Sequence, residues 1–106
     1  GSGPAYFFRF AEALAAAGTA LGLPAAMAER LARQTLVGAG ALVQQQPQDS
    51  LATLRANVTS KGGTTEAALA AFEDGQLAAR VHDAAQAAAK RSLALRTPAT
   101  PSRETH

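Results

Sequence analysis

Residues 3–21 read GPAYFFRFAEALAAAGTAL, and the spacing within this stretch decides the fold class. Phe7, Phe10, Leu14, Ala17 and Leu21 recur at intervals of three and four, the period of one buried helix face. Pro4 suits the first helical position, behind Ser2 or Gly3 as N-cap, because the N–H that proline lacks would have had no intrahelical acceptor there. Ala13, Ala16 and Ala20 form a second, flatter stripe. Methyl-sized residues at such spacing let another helix approach closely, so this helix is expected to have neighbours on two sides.

The whole chain repeats this bias. Alanine accounts for 28 of its 106 residues, against 12 Leu, 4 Val, 4 Phe, 1 Tyr and 1 Met, with no Ile and no Trp. Alanine is the best helix former, while the β-branched and aromatic residues that strands favour are scarce, which excludes an all-β domain. One domain fits the length. A domain of this size buries only about 65% of its unfolded surface. With so few large side chains, a solitary monomer is expected to lack an adequate core. The absence of cysteine excludes a disulfide framework and a Cys-ligated zinc site, and is compatible with a reducing, cytoplasmic setting. The net charge of +2 comes from scattered residues that form no nucleic-acid stripe. Arg9, Glu12, Glu29, Arg30 and Arg33 interrupt the apolar runs, so no membrane span or signal peptide is expected.

After a break at Gly22-Leu23, Pro24 is placed to open a second helix running to about Gln46. Glu29, Arg30 and Arg33 give its first half a polar face, whereas TLVGAGALV at 35–43 is apolar or small all round and should be buried on every side. Gly38 and Gly40 each cost about 1 kcal/mol relative to alanine in a helix interior, which close backbone packing would offset. A second subunit is the natural cover. Residues 47–50 form a connector, and Leu51, Leu54, Arg55 and Val58 suit a short third helix ending near Thr59. A fourth helical pattern covers 66–74, with Leu69 and Phe72 inward and Gly75 as C-terminal cap. A fifth spans about 76–95, with Leu77, Val81, Ala84, Ala88 and Leu95 on one face. Residues 97–106 are expected to be a flexible tail. The expected architecture is an all-α bundle of about five helices, spanning 1–96.

Between the third and fourth helices lies TSKGGTT, residues 59–65. Gly62-Gly63 opens onto a helix N-terminus, where the first N–H groups lack intrahelical acceptors and the macrodipole places about half a positive charge. Glycine permits close backbone approach. Ser60 and Thr65 offer hydroxyls, and Lys61 adds charge, so a carboxylate or phosphate would be accommodated. An ordinary glycine-rich turn with a threonine N-cap fits the same residues. The pattern GxxxxGK[ST] is absent, so this is not a P-loop. His82 has no potential metal ligands at suitable spacing, and no metal site is expected. Ser60 and Lys61 are adjacent, so their side chains point apart and make no nucleophilic pair. Glu73 and Asp74 read as a solvated helix end.

GSGPAYFFRFAEALAAAG, ALGLP and LRANVTSKGGTTEAALAAFEDG together resemble the C-terminal domain of pyrroline-5-carboxylate reductase, over residues 2–95. The resemblance implies an obligate homodimer with interleaved helices, the dimers often assembling further into decamers as pentamers of dimers. It implies an oxidoreductase of proline biosynthesis that reduces 1-pyrroline-5-carboxylate to L-proline, with NADPH or NADH bound by an N-terminal Rossmann domain. This chain begins where that domain should have ended, so it is expected to carry no cofactor site and to be inactive alone. Ser60, Gly63, Thr64 and Thr65 match the family loop that holds the substrate carboxylate, and Thr65 matches the catalytic threonine whose hydroxyl contacts the ring nitrogen. The iminium form is the better electrophile, and a hydroxyl near nitrogen helps position or protonate it. Two positions depart from the family pattern. Lys61 replaces a usual proline, adding charge and loosening the backbone, and Ala56 replaces a usual aspartate. A stand-alone oligomerisation module without catalytic duty is the competing class. Another imine or keto-acid reductase is a third, against which SKGGTT argues.

Overall fold

A computed structural model describes residues 3–96 of the chain; Ser2, offered above as an N-cap, and the 97–106 tail lie outside the described residues. Five helices account for most of the described residues: α1 (Gly3–Ala20), α2 (Ala25–Gln45), α3 (Leu51–Asn57), α4 (Thr64–Asp74) and α5 (Leu77–Arg96). No strand occurs among the described residues, and the fold is all-α as the alanine content requires. Contacts divide the chain into two compact units, one ending at Val58 and the other beginning at Thr59.

In the first unit, α1 stops through a pair of hydrogen bonds that wrap its last carbonyls. Leu23 N–H donates to the Gly18 carbonyl at 3.0 Å, and Gly22 N–H donates to the Thr19 carbonyl at 3.0 Å. This is the Schellman arrangement, and it requires a left-handed residue, which Gly22 supplies with φ +113°. Pro24 follows at once. It serves as the N-cap of α2, with φ −58° and ψ 141°, rather than as its first helical residue. Its extended ψ turns the chain, and its carbonyl accepts the Ala28 N–H at 2.9 Å. Helix α3 starts at a side-chain cap, Ser50 Oγ accepting the Thr53 N–H at 3.0 Å.

The stripe that α1 turns to α2 is a third one, beside the two marked by the sequence pattern. Ala28 and Ala32 of α2 are the buried residues of the described chain, at 3% and 5% exposure. Opposite them stand Ala11, Ala15 and Gly18, half-buried, whereas Phe7, Phe10, Leu14 and Leu21 are exposed in the single chain. A Cβ placed on Gly18 would lie 3.3 Å from the Ala28 Cβ and 3.4 Å from the Leu23 Cδ1. At Gly18 the helices approach until methyl meets backbone, which leaves no room for a larger residue at that position. The stripe of Ala13, Ala16 and Ala20 is likewise exposed.

The all-apolar stretch of α2 also lacks cover within the chain. Val37, Leu42 and Val43 are exposed, and a Cβ on Gly38 or Gly40 would meet nothing within 4 Å. Among the described residues no close packing offsets these two glycines. Thr35, the one hydroxyl in the stretch, donates to the Leu31 carbonyl at 2.8 Å and so presents no unsatisfied group outward.

In the second unit α4 ends on Gly75, but Gly75 has φ −81° and the left-handed residue is Gln76, at φ 58°. Gln76 N–H closes α4 on the Glu73 carbonyl at 2.9 Å, while its own carbonyl accepts the Arg80 N–H of α5 at 3.0 Å. One residue therefore ends one helix and begins the next, which places the reversal after the glycine. Leu69 is half-buried, Phe72 is 37% exposed, and Leu77, Val81 and Leu95 are exposed. The ion pairs Arg9–Glu12, Arg33–Glu29 and Arg80–Asp83 lie on exposed helix faces and add little stability.

The α1–α2 contact yields a direct test. Gly18→Val forces branched methyls against Ala28 and is expected to lower unfolding free energy by roughly 1–3 kcal/mol, read from chemical denaturation at fixed protomer concentration.

Candidate functional site

The loop at residues 59–65 reaches α4 through two successive glycines with different tasks. Gly62 has φ +73°, in the left-handed region where an L side chain is strained. Gly63 has φ −93° and ψ −173° and is the N-cap of α4, so the threonine cap considered from sequence is replaced by a glycine that offers no side-chain acceptor. Gly63 is tight for a different reason: a Cβ there would sit 3.3 Å from the Ser60 carbonyl oxygen and 3.4 Å from the Ser60 Cβ. Its N–H donates to that same carbonyl at 3.1 Å, closing the turn.

Thr64 and Thr65 are the first two residues of α4. The first intrahelical bond is the one from Ala67 N–H to the Gly63 carbonyl, at 3.2 Å. The N–H groups of Thr64, Thr65 and Glu66 therefore precede the helix's own bonding ladder, at the end where the macrodipole is positive. Ser60, Thr64 and Thr65 are exposed. Lys61 is exposed as well.

The structure thus brings Ser60, Gly63, Thr64 and Thr65 together around one turn. Of these, Gly63 spends its N–H on Ser60, which leaves the Thr64 and Thr65 N–H groups and the hydroxyls facing outward as donors for an anion. One contributor escaped the sequence reading. Glu66, at the third position of α4, accepts the Gly62 N–H with its Oε1. A glutamate three residues after an N-cap is the sequence signal of this reach-back, displaced here by one residue onto the position before the cap.

His82 is exposed on α5, its Nδ1 4.0 Å from Asp83 Oδ1. A groove of about 450 Å³ lined by Phe8, Ala15, Glu29, Ala32 and Leu36 among others belongs to the first unit. Its walls carry no convergent set of hydroxyl or backbone donors like that at α4.

Comparison with known proteins agrees with the family resemblance read from the sequence. The family described as pyrroline-5-carboxylate reductase dimerisation matches residues 1–95. Pyrroline-5-carboxylate reductase of Vibrio alginolyticus is 48% identical over 92 residues, covering 87% of this chain and 34% of that protein. Pyrroline-5-carboxylate reductase 3 of Xenopus laevis is 44% identical over 93 residues, covering 88% of the chain and 34% of its own length. Among solved structures, Plasmodium falciparum pyrroline carboxylate reductase with NADP bound matches with a TM-score of 0.83 at 33% identity, over 89% of this chain and 36% of that one. The chain spans about a third of the length of the relatives it matches.

Gly62 gives the site its test. Gly62→Ala, at φ +73°, is expected to cost about 1–2 kcal/mol and to raise amide exchange at the start of α4. Unchanged exchange rates would show that the left-handed turn is not what holds the loop.

Proposed function

Because this chain belongs to the pyrroline-5-carboxylate reductase dimerisation family, we propose that it pairs two subunits of such a reductase and holds the substrate carboxylate at the 60–65 loop. The reaction of the complete enzyme is the reduction of 1-pyrroline-5-carboxylate to L-proline with NADPH or NADH. The observation that carries this reading is the α4 entrance, where the N–H groups of Thr64 and Thr65 lie outside the helical ladder beside three hydroxyls.

The substrate is a five-membered cyclic imine bearing a carboxylate. Thr64 and Thr65 donate N–H bonds to that carboxylate, with the Ser60 hydroxyl beside them, at the positive end of α4. A carboxylate anchored there brings the ring nitrogen toward the Thr65 hydroxyl. That hydroxyl orients the iminium or helps deliver its proton, which makes the C=N carbon more electrophilic. The nicotinamide, where bound, supplies the hydride. A dinucleotide fingerprint is a strand–turn–helix unit, whereas the described residues form five helices. Our reading puts the nucleotide on the Rossmann domain of the complete reductase.

Pairing is supported by the uncovered apolar surface. Among the described residues a Cβ on Gly38 or Gly40 would meet nothing within 4 Å, and Val37 and the rings of Phe7, Phe8 and Phe10 are exposed. Each large apolar side chain covered by a partner contributes roughly 1.5–3 kcal/mol. Interleaved helices of two subunits, extended in some assemblies to five dimers, satisfy both α1 and the apolar half of α2. The loop then completes its site with the nucleotide domain of the other subunit. A scaffold without catalytic duty explains the apolar faces but not the donors at α4. The reductases among the relatives favour the enzyme reading.

Two measurements test these statements. In a complete reductase carrying this domain, Thr65→Ala is expected to lower kcat/KM by about a hundredfold, and kinetics close to wild type would remove the role given to Thr65. Light scattering of the present chain at micromolar concentration is expected to give twice the chain mass or a multiple of it, whereas a well-folded monomer would overturn the pairing.

A further inference from the structure

The donors of the 60–65 loop are divided between the protein and its ligand, and Glu66 makes the division. Gly63 N–H is held by the Ser60 carbonyl, and Gly62 N–H is held by the Glu66 carboxylate. The bond to Glu66 closes on a residue whose φ of +73° is the sharpest departure from ordinary backbone in the loop. Because Glu66 is itself fixed within α4, this bond ties the left-handed turn to the helix it precedes.

Building on the carboxylate-loop reading above, we propose that Glu66 is a positioning residue for substrate. It acts through Gly62 to hold the turn that aims the Thr64 and Thr65 N–H groups at the ligand carboxylate. The chemistry of the glutamate separates this role from two others. Its negative charge opposes an incoming carboxylate, so if charge were its main effect, any neutral replacement would tighten binding. If it served only as a helix cap, its loss would lower stability and leave affinity unaltered. A positioning role requires the acceptor and not the charge. Lys61 is exposed and forms no ion pair with Glu66 that would restrain the turn in its place.

The test uses the full chain labelled with ¹⁵N and titrated with L-proline, following the amide resonances of Thr64 and Thr65. The parent is expected to show saturable shifts at both. Glu66→Ala is expected to weaken binding about tenfold, the loss of one charge-assisted hydrogen bond, while Glu66→Gln, which keeps an acceptor, stays within about twofold of the parent or binds more tightly. Ser50→Ala removes the cap of α3 and serves as the control: it lowers thermal stability and leaves the dissociation constant unchanged. Shifts in the parent with equal affinity in Glu66→Ala overturn the role of Glu66 alone, as does tighter binding in both Glu66 variants or equal weakening by Ser50→Ala. Absence of shifts at Thr64 and Thr65 in the parent overturns the carboxylate-loop reading, and the positioning role with it.

Discussion

The contact on which the first unit depends is made by the smallest side chains in the protein. Ala28 and Ala32 of α2 meet Ala11, Ala15 and Gly18 of α1, with the missing Cβ of Gly18 setting how near the helices come. Methyl groups packed on backbone give close approach but little buried apolar area, about 0.8 kcal/mol for each carbon removed from water. A single chain held this way is marginal. Larger apolar residues stay outside this contact, and Phe7, Phe8, Phe10, Leu14 and Val37 stand exposed in the single chain. Weak packing within the chain and a large apolar surface outside it are two results of one choice of residue size, and both suit a domain whose family is defined by dimerisation.

The loop before α4 follows a different economy. Its shape comes from bonds that span four residues or fewer: Gly63 to Ser60, Gly62 to Glu66, Ala67 to Gly63. Each satisfies a group that the turn or the helix end would otherwise leave open. What remains is a small set of outward donors on Thr64 and Thr65. A site built by such local bonding is shaped by its own sequence, while the apolar faces of the helices wait for neighbours. The carboxylate recognition and the subunit pairing that we propose therefore draw on separate parts of the chain.

Much of this was legible from residue order. The five helices follow from alanine content and apolar spacing, and their breaks from Gly22, Pro24, the 47–50 connector and Gly62-Gly63. The grouping of Ser60, Gly63, Thr64 and Thr65 was also legible, since neighbours in sequence at a helix start are neighbours in space. Three features were not. Gln76 carries the reversal expected of Gly75, because one residue closes α4 and opens α5 together. Glu66 joined the loop because its side chain reaches back to Gly62, a choice among conformers that spacing leaves open. Which stripe of α1 faces α2 was the third: Ala11, Ala15 and Gly18 are half-buried there, while Phe7, Phe10 and Leu14 are exposed in the single chain.

Sequence by itself determined the elements: which stretches are helical, where they stop, and which side chains lie together at the mouth of α4. Those are consequences of propensity, periodicity and bonds between near neighbours, all of which act over a few residues. Only the tertiary structure decided which stripe of α1 faces α2. Periodicity sorts residues into faces without saying which face meets which neighbour. Here the contact is seen at Gly18, where an added Cβ would come within 3.3 Å of the Ala28 Cβ, while Phe7, Phe8 and Phe10 are exposed in the single chain.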